Sequence, residues 1–341
     1  MKPVETKTKP QGKVNAGASI MEHILFEIKR IIVGQDYVLE RLLVALLARG
    51  HILLEGVPGL AKTMMIRSLA AVVGGTFGRI QFTPDLVPAD LIGTRIYNAK
   101  TGDFTTELGP IFANLVLADE INRTPPKVQS ALLEAMQERQ VTIGKNTFSL
   151  PDPFLVLATQ NPIESEGTYP LPEAQLDRFM FKVLVDYPTY LDEITVVQRV
   201  TGPQVNLRTL ISPADLVDMQ QATANIFTDS RIIAYAATLV DATRYPEKHD
   251  LGQFSKAILF GASPRASINL IAGARALAFI RGRDYVLPQD VASLAPDVLR
   301  HRLVISYDGL AAGITAETII EALLNRYPPP RMDLGDRDRS S

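Results

Sequence analysis

"HILLEGVPGLAKTMMIRSLAAVV", residues 51–73, decides the fold. Ile52, Leu53 and Leu54 run unbroken towards Gly56 and read as a buried strand. "AKTMMIRSLAAVV" then reads as a helix. Strand, glycine loop and helix, in that order, form the setting in which a loop can wrap a phosphate chain. The loop "GVPGLAKT", 56–63, matches G-x-x-x-x-G-K-[ST] except that Ala61 stands where the second glycine belongs.

In such a loop the backbone N–H groups converge on phosphates, aided by the positive end of the next helix dipole. Gly56, Val57, Pro58, Gly59, Leu60, Ala61, Lys62, Thr63 and Met64 form the expected cradle, and the two glycines permit the tight turn. Lys62 is placed to reach the β- and γ-phosphates of ATP, and Thr63 to set its hydroxyl on Mg²⁺. Ala61 falls where the helix begins, so one methyl fits there provided the backbone is ordinary. The competing reading is a glycine turn that merely caps a helix.

Other short apolar runs read as buried strands: "RIQF" (79–82), "NLVLADE" (114–120), "FLVLATQNP" (154–162) and "FMFKVLV" (179–185). Helical text between them, notably "PPKVQSALLEAMQER" (125–139), points to a parallel sheet covered on both faces. Two hairpins interrupt the alternation, one turning at Thr101–Asp103 and one around Gly144–Asn146. A strand ending in Asp119 and Glu120 is, alone, a solvated edge. Downstream of a phosphate loop, Asp119 can hold the hydration shell of Mg²⁺ and Glu120 can polarise an attacking water. Asn161 ends another apolar strand, although Asn-Pro by itself is a turn. Arg178 precedes the run "FMF", where its plain role is a pair with Asp177. Arg265, in "GASPRASI", lies in the first turn of a helix, where a cation is electrostatically disfavoured.

The 341 residues suffice for two domains. Polar text at 1–18 and 329–341 reads as flexible tails, 19–200 as the α/β nucleotide-binding domain and 201–328 as a helical domain, with "VTGPQVN" (200–206) as linker. Lys plus Arg (35) nearly balance Asp plus Glu (37), which argues against a nucleic-acid binder. The chain has no cysteine and four scattered histidines, so thiolate and histidine metal clusters are not expected. No apolar run approaches the roughly 20 residues of a membrane helix, and the start lacks the apolar core of a secretion signal. A cytoplasmic protein without membrane insertion is the expectation.

These pieces together resemble the MoxR family of AAA+ ATPases. "IIVGQD", "LLEGVPGLAKT", "FTPDLVPADLIG", "LADEINRTPPKVQSALLEAMQER", "LATQNPIESEGTYPLPEAQLDRF" and "GASPRA" carry the resemblance, which spans roughly residues 20–328. The family's loop commonly reads A-K-T, so Ala61 departs from the general pattern and not from that of the family. The resemblance implies an αβα P-loop domain followed by a smaller all-helical lid. It makes Lys62 and Thr63 Walker A, Asp119 and Glu120 Walker B, and Asn161 sensor 1. It makes Arg178 the arginine finger, aimed into a neighbouring subunit, and Arg265 sensor 2, reaching the nucleotide from its own lid. Val33, Gly34 and Gln35 match the segment lining the adenine, and the two hairpins match inserts that face the pore or the client. A homo-oligomeric ring, commonly a hexamer, and a von Willebrand factor A domain protein as partner also follow from the resemblance alone. The alternative, a nucleic-acid motor of the same superfamily, lacks a basic cluster outside the tail lysines.

Overall fold

The computed structural model describes residues 10–331, leaving out 101, 163–166 and 204, with backbone alone at 10, 11 and 13. It divides into two compact units, Met1–Asn225 with Phe279–Arg283, and Ile226–Ala278 with Asp284–Ser341.

The first unit opens with α1 (Pro10–Lys29), α2 (Asp36–Leu47), β1 (Ile52–Glu55), α3 (Lys62–Val72) and β2 (Phe77–Gln81). A short α4 (Pro88–Ile92) leads into the antiparallel hairpin of β3 (Gly93–Asn98) and β4 (Asp103–Leu108). After β5 (Leu115–Asp119) and α5 (Pro126–Glu138) comes the second hairpin, β6 (Gln140–Ile143) with β7 (Asn146–Ser149). β8 (Leu155–Gln160), α6 (Glu173–Leu176), β9 (Phe181–Leu184), α7 (Tyr190–Thr201) and α8 (Pro213–Ala224) complete it. Both hairpins stand where the sequence placed them, although Thr101, in the first turn, lies outside the described residues.

Five strands form one parallel sheet in the order β2-β5-β8-β1-β9. The three central strands are apolar at nearly every position because helices cover both faces; Leu53, Val116 and Val156 are each 0% exposed. On one face, Val128, Leu132 and Met136 of α5 pack with Leu53, Val116, Val156 and Phe179. Alternate strand residues meet the helices of the other face, where α3 lies against β5. Parallel pairing has one consequence for function: every strand ends on the same edge, which therefore gathers Glu55, Gln81, Asp119 and Gln160.

Two boundaries differ from those read in the sequence. The expected tail 1–18 is helical from Pro10, because the spacing of Met21, Ile24 and Ile28 continues back to the buried Val14. Gly17 makes room for a ring; a Cβ there would lie 2.2 Å from Cζ of Phe279. Residues 1–9, and 332–341 of the expected C-terminal tail, lie outside the described residues. The expected boundary after residue 200 also moves, since α7 and α8 belong to the first unit. Gln220 of α8 explains why: its Nε2 donates to Leu46 O at 2.7 Å and its Oε1 accepts from Arg49 Nη1 at 3.0 Å.

The second unit holds α9 (Ser230–Arg244), β10 (Ile258–Phe260), most of α10 (Pro264–Ile280), α11 (Pro288–Leu299), β11 (Val304–Ile305), α12 (Tyr307–Ala311) and α13 (Ala316–Arg326). Leu239, Leu270, Leu294 and Ile320 form its core. It is helical as expected, with the addition of an antiparallel pair, β10–β11, that the sequence reading did not contain. Among the described residues no helix is long and apolar enough to cross a membrane.

His51, directly before β1, is fully buried and uncharged by design of its surroundings. Its Nδ1 accepts from Val156 N at 3.0 Å and its Nε2 faces Met136 O at 3.2 Å, which selects the Nε2–H tautomer. Burial, reinforced by the nearby Arg139 charge, pulls its pKa down to about 4. A depressed histidine pKa favours the fold above the unfolded value and loses that stability as pH falls towards the folded value. Between pH 6.5 and 4 the fold should therefore lose about 3 kcal/mol through this residue. Urea unfolding at pH 7 and pH 4.5 should show the loss in wild type and a much smaller one in His51→Asn.

Candidate functional site

At the carboxyl edge of the sheet a cavity of about 420 Å³ opens, a volume suited to a nucleotide-sized ligand. Residues Gly56 and 58–64 form one wall, and Asp119, Glu120 and Asn161 another, so three of the segments singled out in the sequence meet there. Val57 and the segment Val33–Gln35 do not line it. That segment nevertheless reaches the same edge through β9: Val185 N donates to Glu55 O at 2.8 Å, and Gln35 Nε2 donates to Asp186 O at 3.2 Å. Gly34 (φ +70°) is pressed against Asp192, and Gly56 against Val185, whose carbonyl oxygen would lie 2.7 Å from an added Cβ.

The loop's geometry corrects one expectation. Ala61 is not in ordinary helical backbone; its φ of 56° and ψ of 20° are left-handed, a conformation that glycine adopts freely and alanine at a cost of about 1–2 kcal/mol. The pattern's second glycine is thus explained, and this chain keeps the same backbone with a methyl on it. The following helix absorbs the strain, since Met65 N donates to Ala61 O at 2.9 Å and Met65, Ile66 and Leu69 are fully buried. The Lys62 ammonium donates to the Gly56 carbonyl, folded back across the loop. Burial pulls its pKa below the ordinary lysine range, against the attraction of Asp119, Glu120 and Glu55.

Thr159, unmarked in the sequence reading, organises both carboxylates. Its hydroxyl donates to Asp119 Oδ1 at 2.8 Å and accepts from Glu120 N at 2.9 Å. The available signal was a hydroxyl ending the otherwise apolar run "LVLAT". Glu120 is itself left-handed (φ 59°, ψ 51°), and a short helical turn after it, Ile121–Arg123, is pinned from below. The pin is Gln129 of α5, whose Nε2 lies 3.2 Å from Ile121 O, 3.1 Å from Thr124 O and 3.0 Å from Tyr169 O. Two arginines were also missed. Arg79 Nη2 is 2.8 Å from Asp119 Oδ2, and Arg123 Nη1 is 3.1 Å from Glu120 Oε2, which also accepts from Gln81 Nε2 at 3.2 Å. No periodicity marks them, because their partners come from a neighbouring strand or a tight turn.

Arg178 lies elsewhere. It precedes β9, whose first residue, Phe181, pairs with Ile52 at the start of β1, so it sits at the amino edge of the sheet. The four residues of β1 separate that edge from the cavity by roughly 10 Å or more. Arg265 stands in the first turn of α10, in the second unit.

The family profile of the "ATPase family associated with various cellular activities (AAA)" matches residues 51–181, and that of the "AAA lid domain" matches residues 254–323. Chaperone MoxR1 of Mycobacterium tuberculosis is 55% identical over 328 residues, covering 95% of this chain and 86% of that protein. The chain belongs to the MoxR family of AAA+ ATPases. Protein MoxR of Methylorubrum extorquens, at 30% identity, matches 89% of this MoxR-family chain and 93% of its own length. A crystal structure of a Cytophaga hutchinsonii protein superimposes with a TM-score of 0.89 at 46% identity, covering 94% of this chain and 98% of that one. A MoxR-type AAA+ ATPase accounts for the loop, the sheet order and the helical second unit together.

The donor set at the cavity fits a magnesium nucleotide. Magnesium keeps much of its water and takes one or two protein oxygens beside those of phosphate. Thr63 and Asp119 offer such oxygens, and no group of three or more acidic or histidine ligands exists among the described residues to cage a bare ion. Because Ala61 holds a left-handed backbone, Ala61→Gly should unfold within about 1 kcal/mol of wild type, while the branched side chain of Ala61→Val should cost about 2 kcal/mol or more. Urea titration of the three proteins measures both.

Proposed function

We propose that this chain is a Mg²⁺-dependent, ring-forming ATPase that remodels or matures protein complexes. One observation carries the reading: Lys62, Asp119 and Glu120 share a cavity at one edge of the sheet, while Arg178 sits at the other. Arg178 does not line the cavity of its own copy, and we read it as serving the site of another. In a ring each neighbour lends the missing cation; a hexamer is the proposed size.

Within the site, Gly56, Gly59 and the start of α3 wrap the phosphates, and Lys62 swings from the Gly56 carbonyl to the β- and γ-oxygens. Thr63 and Asp119 would hold Mg²⁺, which when bound would supply neutralisation of the charge developing on the transferring phosphoryl group. Glu120 orients the attacking water and takes its proton as the bond to ADP breaks, ADP leaving with the bonding pair. Asn161 steadies the water or the γ-phosphate, and Val33, Gly34 and Gln35 line the base. Arg178 of the next copy and Arg265 of the second unit complete the charge balance. The left-handed turn at Glu120, pinned by Thr159 and Gln129, preorganises the carboxylate.

The proposed work on proteins rests on the family and on the name of the mycobacterial relative, a chaperone. A von Willebrand factor A domain protein is the proposed partner, with the exposed hairpin of β3 and β4 as the surface presented to it or to the pore. The near-balanced charge gives a nucleic-acid track no support.

Lys62→Ala should abolish ATP binding in a filter or fluorescence assay. Arg178→Ala should bind ATP as wild type does and lose about 10³-fold or more in turnover. Mixing Arg178→Ala with Glu120→Gln should restore part of the activity, since some neighbouring pairs then regain one intact site. Full turnover by Arg178→Ala alone would end the ring reading.

A further inference from the structure

We propose that Arg79 is the resident counter-ion of the metal position and sets how strongly this site depends on magnesium. The inference rests on the nucleotide site proposed above and adds a residue to it.

Asp119 offers two oxygens, and both are engaged. Oδ1 accepts from the Thr159 hydroxyl at 2.8 Å, and Oδ2 from Arg79 Nη2 at 2.8 Å. The Arg79 position is built. Arg79 and Gln81 lie on one face of β2, Gln81 is in register with Asp119, and the same Nη2 also donates to Gln81 Oε1 at 3.0 Å. Reaching forward along its strand, the arginine is held by two acceptors and lines the cavity. Its side chain is 51% exposed, against 19% for Asp119, so it can swing out while the carboxylate stays.

A guanidinium and the hydrated magnesium ion compete for Oδ2. Both are cations, and like charges on one carboxylate oxygen repel strongly at a half-buried position. In the metal-free site Arg79 neutralises Asp119, so an incoming polyphosphate does not meet a bare negative charge. With the metal present Arg79 yields. Removing the positive charge therefore acts on both conditions: metal-free nucleotide binds worse, and the metal form binds better.

The measurable quantity is the Kd of an N-methylanthraniloyl-ATP probe in EDTA divided by its Kd in saturating Mg²⁺. For Arg79→Gln this ratio should rise about three- to tenfold over wild type, the size of one partly exposed ion pair acting on both terms. Arg79→Lys, which keeps the charge, should stay near wild type, and circular dichroism should report the same fold for all three. An unchanged ratio in Arg79→Gln would make the pair an incidental contact, and a lower one would place Arg79 beside the metal instead of in its stead; either result overturns the proposal. If wild type binds the probe in neither condition, the nucleotide site itself falls and this proposal with it.

Discussion

The double pairing of β1 governs the molecule. β8 binds it on one side and β9 on the other, Ile52, Leu53 and Leu54 are wholly buried, and the chain leaves it at Glu55 with no freedom of direction. The phosphate loop is therefore launched from a strand fixed on both sides. Catalysis of phosphoryl transfer consists mainly of positioning and charge stabilisation, so rigidity at the root of the loop matters alongside the side chains it carries. The same pairing sends β9 away with its amino end, and hence Arg178, on the far edge.

Two left-handed residues that are not glycine stand at the carboxyl edge of the sheet. They are Ala61, whose carbonyl accepts from Met65 N of the helix it opens, and Glu120, whose N–H donates to Thr159 on a neighbouring strand. Such residues persist only where the surroundings over-determine them. Around Glu120 the over-determination is legible atom by atom: Thr159 fixes its N–H, and Gln129 draws the next turn and the backbone of Tyr169 onto one amide. α6 begins four residues after Tyr169, so the turn that follows Glu120 and the segment that leads to α6 share an anchor.

Charge has a comparable economy. Asp119 and Glu120 stand side by side, and each has an arginine of its own, Arg79 and Arg123. Two adjacent carboxylates would repel one another, and the paired arginines offset that repulsion. Lys62 donates to Gly56 O while it feels the attraction of the same carboxylates.

Most of the fold was legible because it is written locally. The apolar runs at 52–54, 115–118 and 155–158 are long enough, and bounded clearly enough, to declare a covered parallel sheet, and Lys62, Thr63, Asp119 and Glu120 follow from short motifs at strand ends. What the residues could not declare depends on contacts distant in sequence. The start of α1 rests on a ring contributed by Phe279, the limit of the first unit on a bond from Gln220 to Leu46, and the state of Asp119 on Arg79, forty residues earlier. Ala61 marks the division most sharply: the letters identify the loop, but the sign of φ at that residue is decided by where β1 ends and α3 must pack. The sequence by itself determined which chemical groups are present and which strands carry them. Only the tertiary structure decided which of those groups meet, because their meeting depends on strand order and register, and these are settled by packing between elements far apart along the chain.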